Sequence, residues 1–201
     1  MIRPAPAAAR LVLHDDNYGL AMYVDRDGAA QLVALWALAA RSRHSLVHLP
    51  IRAHAAPDGA GFDLSVPLDL VLVHHSLQFP TSSWKQLRSR LGAGEIHTAA
   101  TPADELRGDV DHRRQLDREY RDHLGFDIAA HTLFVVGSPT AFRRNGAALR
   151  GLVDEAPSYR RRYPNAQHYC VELSAGPWSR RRTRRHVPDV LHVQYCDTWQ
   201  A

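Results

Sequence analysis

Two short apolar runs constrain this chain more than any other feature. In Asp69-Leu-Val-Leu-Val73 and Thr132-Leu-Phe-Val-Val136 no polar residue follows the first one. A strand with one face in water alternates polar and apolar residues, whereas a continuous apolar run needs cover on both faces. Each run also feeds a helix signal, so both are expected to be strands of a sheet that is at least partly parallel. The first is followed by His74-His75-Ser76 and a helix from a Ser82 or Ser83 cap that buries Trp84, Leu87 and Leu91. The second is followed by Gly137-Ser138 and a helix through Arg143 to Val153. The fold class expected is α/β: a single three-layer-like domain over residues 11–201 with a mixed sheet, parallel strand-helix units in the middle and an antiparallel hairpin at the C-terminus.

The other segments fit around that core. Residues 1–10 are rich in Pro and Ala and are expected to fray as a flexible N-terminus. Leu11–Leu13 and Leu20–Val24 read as strand pieces around a polar turn, His14-Asp-Asp-Asn17. Asp27 reads as the cap of a helix running to about Ala40, with Leu32, Leu35, Trp36 and Ala39 on one face. Leu46–Ala53 reads as a strand, and the segment up to Pro67 as loop or edge strand. A polar surface helix is expected over about Pro102–Leu124, started by Thr101, Pro102 and Asp104. At the end, His168–Leu173 and Val190–Thr198 read as paired strands. Alternation places Tyr169, Val171 and Leu173, with Leu191, Val193 and Tyr195, toward the core. The opposite face then carries His168, Cys170, Glu172, His192, Gln194 and Cys196.

A chain of 201 residues can bury a core without disulfides or metals, and its two cysteines make no secreted disulfide framework. No apolar run approaches the roughly 20 residues that span a bilayer, and Arg10, Asp15 and Asp16 interrupt any signal-peptide core. A cytoplasmic protein with no membrane partner is expected. The net charge of +4 is unevenly spread: residues 1–139 hold 14 Lys+Arg against 16 acids, and residues 140–201 hold 11 Arg against 5 acids. Arginine's planar fork suits phosphates and carboxylates, so the basic last third points to an anion.

The turn at Val136–Leu149 is the leading candidate site. It reads Val-Gly-Ser-Pro-Thr-Ala-Phe-Arg-Arg-Asn-Gly-Ala-Ala-Leu, in which Arg143, Gly146 and Ala148 fit Arg-x-x-Gly-x-Ala. A helix N-terminus offers unpaired N–H donors and a positive dipole end. The segment resembles the acyl-CoA-binding motif of the GNAT acyltransferases. That resemblance implies an acyl-CoA cofactor whose pyrophosphate is held at Ser138, Arg143, Arg144, Gly146 and Ala148. It spans about residues 133–153, with two extra residues between the strand and Phe142 and a long insertion, residues 77–130, ahead of it. In this reading His74, His75 or Glu172 serves as general base, each lying at or near a strand end.

Other readings use other residues. Asp25-Arg-Asp-Gly28 with Asp69, His74 and His75 is similar to the DHH phosphoesterases, which hold metal ions for phosphoryl hydrolysis; here Val73 stands where that triplet has its Asp. His14 with Asp15 and Asp16 could pair a base with an orienting carboxylate, or sit in a surface loop. His168, Cys170, His192 and Cys196 share strand parity, so a Cys/His metal site becomes possible if the strands pair, although buried cysteines are the simpler account. Tyr159-Arg-Arg-Arg-Tyr163 and the 178–186 run, with Arg180, Arg181, Arg182, Arg184 and Arg185, interleave aromatics with charge as RNA binders do, but no nucleic-acid motif accompanies them. The expectation is an enzyme with a phosphate-bearing small-molecule partner and acyl-CoA as cofactor; the alternatives are an anion-, RNA- or protein-binding module and a metal-dependent phosphoesterase. A homodimer is compatible with all of them.

Overall fold

The computed structural model describes residues 1–5, 9–16, 19–60, 65–100, 102, 105–106, 119–166, 168–176, 188–197 and 199. It is mixed α/β, with two mixed sheets and four α-helices among the described residues. The strands are β1 (Leu11–Asp16), β2 (Gly19–Val24), β3 (Leu46–Leu49), β4 (Val66–Pro67), β5 (Asp69–His74), β6 (Gly125–Ile128), β7 (Thr132–Gly137), β8 (Tyr169–Ser174) and β9 (Val190–Tyr195). The helices are α1 (Arg26–Arg41), α2 (Trp84–Ser89), α3 (Pro139–Asp154) and α4 (Ala156–Arg162). One sheet has the order β4-β1-β2-β9-β8 and the other β3-β5-β7-β6.

The two apolar runs pair with each other in parallel as β5 and β7, Leu70 beside Leu133 and Leu72 beside Val135. Both faces are covered, as a continuous apolar strand requires. Leu70, Leu72, Leu133 and Val135 join one core with α1, α3 and the inner face of the five-stranded sheet. Val71, Val73 and Phe134 point the other way, into a smaller core with Leu46 and Trp84. Helices α1 and α3 are tied together by the Trp36 indole N–H, which donates to the Phe142 carbonyl at 2.8 Å, and by the edge-on contact of the two rings.

Gly28 permits a close approach. A Cβ on Gly28 would fall 2.2 Å from the Arg10 carbonyl oxygen, so only glycine lets α1 pass β1 there. The α1 cap is Asp25 rather than Asp27: its carboxylate accepts from the Gly28 N–H at 2.7 Å and the Arg10 N–H at 3.1 Å. Asp27 lies in the first helical turn.

Several boundaries differ from the sequence reading. His14–Asp16 extend β1 and are not a turn. Ile2 bridges to Val47 through two backbone hydrogen bonds, so part of residues 1–10 is docked. Residues 120–123 are not helical and lead into β6, an unexpected strand; most of the polar helix expected over 102–124 lies outside the described residues. Trp84 is the only one of its three expected partners that α2 buries fully. The antiparallel C-terminal hairpin is present, and β9 also pairs in parallel with β2.

Candidate metal centre

The outer face of the five-stranded sheet follows from its register. Inward residues Leu173, Leu191 and Val193 are essentially fully buried. Their neighbours along each strand must therefore point outward. Across four strands this builds one ladder of Val12, Tyr23, Gln194 and Cys170, and a second of His14, Ala21, His192 and Glu172. His168, just before β8, shares the parity of Cys170 and Glu172.

This face brings together one donor atom each from His168, Cys170 and His192, all within 4.8 Å of one another. A tetrahedral zinc needs N and S donors about 3.3–3.6 Å apart, given Zn–N of about 2.0–2.1 Å and Zn–S of about 2.3 Å. Behind the group, the His192 Nδ1–H donates to Glu172 Oε1 at 3.2 Å, which leaves His192 Nε2 free to coordinate. The His168 and His192 rings meet edge to face, 5.6 Å between centroids. Burial and the neighbouring Glu172 carboxylate push the Cys170 thiol up. Both cysteines are half-buried and free of disulfides; Cys196 falls outside the three-donor group.

Glu172, one of the general-base candidates, is thus the residue that orients His192. The other two, His74 and His75, lie at the carboxyl end of β5. His74 is buried, with Nδ1 accepting from the Ser76 N–H at 3.2 Å and lying 2.8 Å from the Ser76 hydroxyl. Its Nε2 has no hydrogen-bond partner among the described residues. Burial, then the positive charge of His75, Arg43 and His44, holds His74 below the usual histidine range. His75 is exposed and opens a 3-10 turn. The two sets are on different sheets, so Glu172 does not join the histidines.

The α3 candidates are engaged in packing and pairing. Ser138 caps α3, its hydroxyl accepting from the Ala141 N–H at 3.0 Å and donating to Asp122 at 2.7 Å. A carboxylate of the chain itself thus stands at this helix N-terminus, where an external anion would bind. Arg143 donates twice to Glu105, at 2.9 and 3.1 Å, and Arg41 approaches the same carboxylate at 3.6 Å. Arg144 is buried, bonded to the Tyr120 hydroxyl at 2.9 Å and stacked on its ring. Gly146 is seven residues past the start of α3, about 10 Å along the axis. A Cβ there would meet Leu106 at 2.6 Å and Trp36 at 3.0 Å. The small residue serves helix packing, and Ala148 faces outward. These placements offer no cradle for a pyrophosphate along Gly146.

The phosphoesterase set does not assemble either. Asp69 and His74 sit at opposite ends of β5, about 16 Å apart along the strand. Asp69 belongs to a buried network that sequence reasoning missed: it accepts from the Arg52 N–H at 3.0 Å and from Arg88 at 3.3 Å, with His48 Nε2 4.0 Å away. Burial pushes its carboxyl up, but His48 first and then Arg52 outweigh that and hold it below the usual range. A charged residue opening an otherwise apolar strand was the available signal. His14 is buried in β1 with Nδ1 2.7 Å from the Ser65 hydroxyl; burial lowers it, against the opposing charge of Asp16. Burial and then Asp16 raise Asp15.

In α4, Arg162 lies over the Tyr163 ring and Arg160 approaches Asp197 at 3.8 Å. The Tyr169 hydroxyl donates to Glu155 at 3.0 Å and is pushed up to about 12, first by burial and then by that bond. The Arg180–Arg185 run lies outside the described residues. No helix among the described residues is long and apolar enough to cross a membrane. Comparison with protein-family models, curated proteins and solved structures finds no match.

Proposed function

We propose that the protein binds a thiolate- and imidazole-preferring metal ion, zinc in the first instance, at His168, Cys170 and His192. The observation that carries this reading is the convergence of three soft or borderline donors within 4.8 Å on one sheet face. Cysteine with two histidines selects zinc, copper(I) or iron over magnesium and calcium, which take oxygen ligands. The carboxylate behind His192 supports the reading, because metal-bound histidines commonly donate their second N–H to such a group. Zinc held this way supplies a Lewis acid that polarises oxygen ligands and acidifies bound water. The hairpin supplies Cys170 and His192 on adjacent strands, and His168 precedes it directly.

The test is a zinc titration of the full chain against a chromophoric chelator. One equivalent should bind, and Cys170→Ala and His192→Ala should each abolish it. Zinc should also raise the melting temperature, since a ligand at about 100 times its Kd stabilises the native state by about 2.7 kcal/mol. Weak binding that survives both substitutions would rule the site out. Running acetyl-CoA and RNA in the same melts gives the anion-binding alternatives an equal hearing.

A further inference from the structure

We infer that the metal centre is open: its fourth coordination position is left to solvent water, which exchanges for a small anionic ligand. The inference rests on the metal-binding reading above. It follows from where the donors stand. Cys170 and His192 stand on the same face of two adjacent strands, and His168, just before β8, brings its donor within 4.8 Å of both. Three protein donors leave one position of a tetrahedral ion to be filled. A structural zinc site is built differently, with four protein ligands enclosing the ion.

The exposure of the group agrees with this geometry. His168 is exposed, and the His192 side chain keeps 29% of its surface accessible. Among the described residues, the group contains three ligating side chains and not four. Glu172 is directed at His192 Nδ1, so it supports a ligand and leaves the fourth position to others. Gln194 lies directly opposite Cys170 on the same ladder. An amide can donate to a metal-bound oxygen or to an anion replacing it. The ligand class that fits is small and anionic, with one oxygen, nitrogen or sulfur donor for the metal.

Cobalt(II) in place of zinc makes the coordination visible, and azide serves as the anionic probe. The cobalt-loaded full chain should show a thiolate-to-metal charge-transfer band that Cys170→Ala removes. Azide should then shift the visible bands saturably, with the thiolate band retained. His186, in the β8–β9 connection outside the described residues, is the candidate for a closing fourth ligand; His186→Ala should leave both the spectrum and the azide response unchanged. A thiolate band that azide cannot perturb at saturating concentration would overturn the open centre while leaving metal binding intact. An azide response that appears only in His186→Ala would overturn it as well. No thiolate band at all would remove the metal-binding reading, and this inference with it.

Discussion

Glu172 can be removed without touching any donor atom, which makes it the sharpest probe of how the hairpin holds a metal. Its Oε1 accepts from His192 Nδ1 at 3.2 Å, and its side chain is 60% exposed. Carboxylates behind a metal-bound histidine are worth about 10–100-fold in affinity. The length of this hydrogen bond and its contact with solvent place it at the weak end, so Glu172→Ala should weaken zinc binding about tenfold, or about 1.4 kcal/mol. Glu172→Gln keeps a carbonyl acceptor in the same place and should lose less than the alanine variant. Competition with a chromophoric chelator at fixed pH resolves both steps, and circular dichroism confirms that each variant is folded. Unchanged affinity in Glu172→Ala would refute the orienting role. A loss far beyond a hundredfold would refute it from the other side, by making Glu172 a ligand.

Further expectations concern the fold that carries the site. Gly146→Ala gains about 1 kcal/mol of helix propensity but overpacks Leu106 and Trp36 at a cost of about 1–3 kcal/mol; a net loss of about 1 kcal/mol should lower Tm by about 2–4 °C, and a rise in Tm would contradict the packing role. Asp69→Ala strands the Arg52 N–H and the Arg88 guanidinium beside His48; urea denaturation should show a loss of about 3 kcal/mol, and a loss under 1 kcal/mol would argue against the network. His14, His74 and His123 are all held below 6.5, in each case first by burial. The unfolded chain takes up these protons at higher pH than the folded one, so their stability contribution is complete above 6.5 and is lost as pH falls from there through the lowered native values. The slope is at most about 1.4 kcal/mol per pH unit per histidine, and denaturation midpoints that stay flat between about pH 7 and about pH 5 would count against it.

How much of this was legible depends on which interaction decides each element. The strands β5 and β7 could be read because a continuous apolar run has few alternatives. The face shared by Cys170, Glu172 and His192 could be read because alternation needs no tertiary information. What alternation cannot supply is register: only the pairing of Glu172 with His192 shows which donors meet. The strand β6 was hidden because just one of its four residues, Phe126, is buried and Asp127 is spent on the Thr81 hydroxyl. The α3 motif misled for a related reason. A small residue on a helix suits close approach of any kind, and here the approaching group is Leu106. Glu105, which takes up Arg143, lies 38 positions away, beyond any local pattern.

The parallel seam between β2 and β9 joins residues 20–24 to residues 191–195 at the middle of the five-stranded sheet. During synthesis the β1–β2 ribbon therefore waits, one edge unsatisfied, until the ribosome has released nearly the whole described chain. Ladders closed over such separations form slowly, and an exposed strand edge invites association in the interval. The hairpin that carries His168, Cys170 and His192 is also the piece that completes this sheet. Metal captured there would brace the strand pair on which closure of this sheet depends.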